Sequence, residues 1–75
     1  MKRLEHWIGQ ISFHIKELDP KCLIHVTKDT YEGEDAYIHV KSNLDQMDLM
    51  RKVTPLQGEA ILDDWFIPVL VTEMD

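Results

Sequence analysis

From Leu4 onward apolar residues recur at steps of three and four, through Trp7, Ile8, Ile11, Ile15 and Leu18, the spacing that lines one stripe of an α-helix. The stripe predicts a first helix ending near Leu18, because Pro20 disfavours helical geometry at Asp19 and Lys16 complements the dipole in the last turn. Cys22 to Lys28 then alternates, setting Cys22, Ile24 and Val26 against Leu23, His25 and Thr27, and predicts a strand. Ala36 to Lys41 repeats the alternation, with Ala36, Ile38 and Val40 opposed to Tyr37, His39 and Lys41. The polar stretch from Asp29 to Asp35 holds one glycine, Gly33, for a positive φ, so the two strands are expected to form an antiparallel hairpin.

A second helix is expected to begin at Ser42 or Asn43, good N-caps that open the incomplete capping boxes Ser42-x-x-Asp45 and Asn43-x-x-Gln46. On a helical wheel Met47, Leu49, Met50 and Val53 share the arc meant for the core, while Asp48 and Lys52 make an i,i+4 pair in the favourable orientation. Thr54-Pro55 is expected to break this helix. Between Pro55 and Asp64 two readings stand: a short helix capped by Thr54, which is preferred, or a strand over Glu59-Ala60-Ile61-Leu62. Trp65 to Thr72 reads as a strand apolar on both faces, with Pro68 arguing for an edge position or a bulge because it cannot donate to a ladder. The order α-β-β-α-(α or β)-β predicts an α+β fold, a small two-layer sandwich with helices on one face of a largely antiparallel sheet.

Seventy-five residues, 1–75, suffice for one domain and not for two, since each half would bury too little apolar surface to offset its ordering entropy. A core of this size supplies roughly 3–5 kcal/mol of net stability. Cys22 is the single cysteine, which excludes an intrachain disulfide and fits a reducing compartment. No charged and apolar leader is recognised, so a cytoplasmic protein is the expectation. The longest apolar run, Trp65 to Val71, falls well short of the roughly 20 residues that span a bilayer, so no integral membrane protein is expected, and the acidic charge disfavours an anionic membrane as a partner.

The net charge of −6 is uneven: five basic and three acidic residues stand through Lys28, against three and eleven from Asp29 onward. Nucleic-acid binders carry basic stripes that neutralise phosphates, and beyond Lys2-Arg3 no such cluster exists, so no nucleic-acid partner is expected. The acidic surface suits solubility, or a basic partner.

Candidate chemistry centres on the four histidines. If Ile24 pairs with Val40, then His25 and His39 lie directly opposite on one sheet face and become the candidate metal ligands. Two imidazoles are fewer than the three or four ligands of a zinc site, and Cys22 points to the other face, so no metal or other cofactor is expected. His6 and His14 sit about 80° apart around the first helix and do not converge. Cys22 alternates inward without a local activating base, and Asp29 to Asp35 lacks the oxygen-ligand spacing of a calcium loop. The three glycines, Gly9, Gly33 and Gly58, are too scattered for a phosphate-binding loop, and no catalytic set is recognised.

The sequence Glu32-Gly33-Glu34-Asp35-Ala36-Tyr37-Ile38-His39-Val40, set in a helix, hairpin, helix and strand, resembles the core of small nucleotidyltransferase-fold domains. In that family a Gly-Ser pair follows the first strand and two metal-binding carboxylates, one residue apart, begin the second. Val26-Thr27-Lys28 stands where the Gly-Ser pair belongs; Asp35 matches the first carboxylate and Tyr37 replaces the second. The resemblance therefore implies a fold without the activity, since two-metal phosphoryl transfer needs both carboxylates.

Phe13 lies about 180° from Leu4 on the first helix, on the side of His6, Gln10 and Glu17. It is expected either to contact another subunit or protein, or to lie under a strand or loop of its own chain. Trp65 and Phe66 alternate across the last strand, so one of them faces outward unless covered. Phe13, Trp65 and Phe66 are thus the candidate partner-binding residues. The expected function is that of a non-enzymatic accessory or regulatory protein that binds another protein or a second copy of itself. The alternative is a degenerate nucleotidyltransferase-like or other small-ligand or metal-binding module around Asp35, Tyr37, His25 and His39.

Overall fold

In a computed structural model that describes residues 2–28 and 33–74, the first apolar stripe forms helix α1 (Leu4–Leu18), ending where Pro20 requires. Ile11 and Ile15 are fully buried, and Leu4, Trp7, Ile8 and Leu18 pack against the same core. The alternating segments form β1 (Leu23–Thr27) and β2 (Tyr37–Ser42). They pair antiparallel, as the hairpin predicts, and the register sets Ile24 opposite Val40 and His25 opposite His39. Gly33 has φ 84°, the positive value expected of it, while residues 29–32, with the acidic Asp29 and Glu32, lie outside the described residues.

Helix α2 (Gln46–Leu62) departs from expectation in three ways. Its N-cap is Asp45, whose Oδ1 accepts from the Met47 N–H at 3.1 Å, and not Ser42 or Asn43. Ser42 is diverted because its buried hydroxyl donates to Asp19 Oδ2 at 2.6 Å and accepts from the Leu44 N–H at 3.1 Å, joining the turn after α1 to the end of β2. The helix also runs through Pro55 without breaking. A mid-helix proline costs about 3 kcal/mol, here offset by extending one buried stripe, Leu49 and Val53, through the half-buried Leu56 to the fully buried Ala60. The Thr54 hydroxyl meanwhile donates to the Met50 carbonyl at 2.8 Å. Finally, Met47 is 72 % exposed and not in the core, because it sits about 200° around the helix from Leu49, where the true stripe begins. The Asp48–Lys52 pair forms as the spacing predicts, at 3.3 Å.

One unbroken helix carries the chain back to the start of β2, so the last strand, β3 (Val69–Glu73), runs parallel to β2. The sheet is therefore mixed, in the order β1-β2-β3, within a small α+β domain of order α-β-β-α-β. Pro68 stands just ahead of β3, where no ladder N–H is required, and its carbonyl accepts from the Ile38 N–H at 3.0 Å. Ile38, Val40, Val69 and Val71 face both helices, with Cys22, Ala36 and Ile67 completing the core. The opposite face carries Leu23, His25, Tyr37, His39, Lys41, Leu70 and Thr72, and among the described residues no helix lies over it. No helix among the described residues is long and apolar enough to cross a membrane.

Candidate functional site

The corner between α2 and β3 is braced by several hydrogen bonds. Its first part is a helix stop in which Asp64 N–H bonds the Ile61 carbonyl at 2.9 Å and Trp65 N–H bonds the Ala60 carbonyl at 2.8 Å. This is the Schellman pattern, and it places Asp64 at φ 67°, where glycine is the usual occupant. The second part ties the corner to the beginning of the chain. Asp63 Oδ2 accepts from the Trp7 indole at 2.9 Å and from the Lys2 backbone N–H at 2.5 Å, and the Trp65 indole donates to the Lys2 carbonyl at 2.7 Å. The Trp7 indole, then the Lys2 N–H, hold the Asp63 carboxyl below the ordinary aspartate value.

A third brace comes from the hairpin. Asp35 and Phe66 bond reciprocally, Phe66 N–H to Asp35 Oδ2 at 2.8 Å and Asp35 N–H to the Phe66 carbonyl at 2.9 Å. Asp35 thus holds the approach to β3 in place. Gln57 adds a bond from Nε2 to the Ile67 carbonyl at 3.1 Å.

These braces fix the backbone while leaving apolar side chains outside. Ile61, Leu62 and Phe66 are 55, 87 and 50 % exposed, and Ile61, Asp64, Trp65 and Phe66 line one shallow depression. Phe66 is therefore the outward member of the tryptophan–phenylalanine pair, while Trp65 is half-buried and hydrogen-bonded. Phe13 also faces solvent, 66 % exposed, in a separate groove between α1 and α2 with His14, Pro55 and Leu56. It is not covered by the chain's own last strand, and the structure does not bring it together with Trp65 and Phe66.

His25 and His39 face each other on the uncovered sheet face and share a depression with Leu23 and Lys41. His39 Nε2 lies 2.9 Å from Thr72 Oγ1, which orients that ring across to β3. Among the described residues, no three His, Cys, Asp or Glu side chains converge as a metal-binding group. His6 instead meets Trp7 edge-on, with ring centroids 5.2 Å apart, and His14 Nε2 lies 3.1 Å from the Lys52 carbonyl, so these two do not converge. Cys22 is buried, and burial pushes its thiol above the usual value, the opposite of an activated nucleophile.

Ile61 and Leu62 were not among the residues singled out from the sequence. The signal was available: once Leu49, Val53, Leu56 and Ala60 are taken as the stripe of a continuous helix, Ile61 and Leu62 fall off it, ahead of the pair Asp63-Asp64. No family model matches the chain, and neither the curated proteins nor the solved structures contain a match to it.

Proposed function

We propose that the chain is a non-enzymatic accessory protein of the cytoplasm that acts by docking another protein on the α2–β3 corner. The observation that carries this reading is the exposure of Ile61, Leu62 and Phe66 on a backbone locked by the Schellman turn, the Asp35–Phe66 pair and the Trp7–Asp63 contact. Apolar side chains on a rigid frame lose little further conformational entropy on binding, which is the preorganisation that makes an anchor effective. Affinity capture from the native cells tests it, comparing wild type with an Ile61→Ser, Phe66→Ser double variant and with a Leu23→Ser control on the sheet face. One stoichiometric partner should be recovered by wild type and by the control, and lost with the double variant. A partner retained by the double variant would contradict the assignment of the surface.

One observation favours a second reading, a small metal-binding module: His25 and His39 sit directly opposite on an uncovered face. A Zn²⁺ titration followed by thermal melting separates the two. A melting temperature that rises with Zn²⁺, and no longer rises in His25→Ala, supports the metal reading by mass action, and an unchanged melting temperature removes it.

A further inference from the structure

Three exposed apolar surfaces differ in the sign of the charge around them, while a fourth, Leu44 and Met47 beside Asp45 and Glu73, is acidic without the braces of the α2–β3 corner. The groove at Phe13 is mixed, with Glu17 and Glu59 on its walls beside Lys52 and His14. On the uncovered sheet face the outward side chains of the paired strand residues include Lys41 and two histidines and, among the described residues, no carboxylate. At the corner the balance is reversed. Asp64 lines the depression itself, Asp63 flanks it, Asp35 is hydrogen-bonded to Phe66, and Glu34 precedes Asp35. The last turn of α2 contains no basic residue to neutralise the negative end of the helix dipole, which points at the same place. Lys2 meets Asp63 through its backbone N–H, and the positive charges of Lys2 and of the N-terminus also act on that carboxylate, which leaves Asp64 as the carboxylate in the depression itself.

Resting on the docking reading above, we infer that the corner receives a basic amphipathic segment of a partner protein, its apolar side chains against Ile61, Leu62 and Phe66 and its lysines or arginines toward Asp64 and the end of α2. Apolar contact supplies the attachment and the carboxylates select the sign. The same carboxylates repel phosphate, which argues against a nucleic acid or an anionic membrane as the occupant. They also argue against a symmetric second copy, because a two-fold contact would set each acidic corner against its own duplicate.

Three short helical peptides test the inference on the intact chain by calorimetry: leucine–lysine, leucine–serine and leucine–glutamate, identical in their apolar stripe. The lysine peptide should bind about tenfold or more tighter than the serine peptide, and the glutamate peptide weakest of all. Leu62→Ser, at a side chain too exposed to matter for folding, should weaken the lysine peptide about tenfold. Asp64→Asn should narrow the lysine-to-serine ratio, and Leu23→Ser should change nothing. Equal binding of all three peptides, lost in Leu62→Ser, keeps the docking surface and overturns the basic partner. Binding of the lysine peptide that is indifferent to Leu62→Ser overturns both. A dimer in sedimentation that Leu62→Ser dissolves identifies a second copy as the occupant and overturns the basic-segment inference. If no peptide binds, the basic segment is abandoned, while capture of a partner that the Ile61→Ser, Phe66→Ser variant loses still upholds the surface.

Discussion

Asp63 ties the α2–β3 corner to the first residues of the described chain. Its carboxylate accepts from the Trp7 indole and the Lys2 backbone, and those bonds favour the ionised form. A carboxyl whose folded-state pKa is depressed contributes stability above its unfolded value and loses it as pH falls through the folded one. Denaturant unfolding of wild type should therefore weaken from about pH 4 downward, and Asp63→Asn should flatten that part of the profile. An identical acid slope in the variant would show that the Trp7–Asp63 contact does not persist in solution. Asp64 makes the opposite case, since its positive φ suits glycine better. Asp64→Gly should raise stability by up to about 1 kcal/mol in the same assay, while weakening any cationic ligand of the corner. Ser12 has a buried hydroxyl without a hydrogen-bond partner, so Ser12→Ala should be neutral or stabilising by about 1 kcal/mol.

Helix α2 decides the topology, and it is the element whose local signals were least informative. Thr54-Pro55 reads as a stop because proline lacks the N–H that would bond the carbonyl four residues back. Burial of Leu56 and Ala60 on the stripe of Leu49 and Val53 outweighs that loss, and the uninterrupted helix becomes the crossover that makes β3 parallel to β2. Pro55→Ala should restore the missing bond and raise the midpoint of thermal unfolding, by the equivalent of about 1–3 kcal/mol. An unchanged or lowered midpoint would mean that the proline fits a bend the fold requires. By contrast α1, β1 and β2 could be read from Leu4 to Val40 because steps of three and four, or strict alternation, map directly onto burial. The same alternation puts His25 and His39 outward on their strands, while the register that sets them opposite each other comes from the hairpin pairing. The corner could not be read that way. Exposure of Ile61 and Leu62 follows from the phase of the helix, which Met47 set wrongly, and the partners of Trp7 and Trp65 come from the far end of the chain.

At the scale of the molecule, charge and exposed apolar surface are distributed unequally. Both helices cover one face of the sheet, the acidic half of the chain supplies the corner, and Asp35 links the hairpin to it across the start of β3. Breaking that link tests whether the corner is a built feature. Asp35→Ala should cost about 0.5–1.5 kcal/mol of stability, because the exposed Phe66 N–H exchanges its carboxylate acceptor for water. Photo-crosslinking in living cells tests the central claim most directly, with a photoreactive phenylalanine analogue in place of Phe66 or, separately, of Phe13. A docking corner predicts one discrete adduct with another protein from position 66 and none from position 13. An adduct from position 13 alone, or none from position 66, would contradict it.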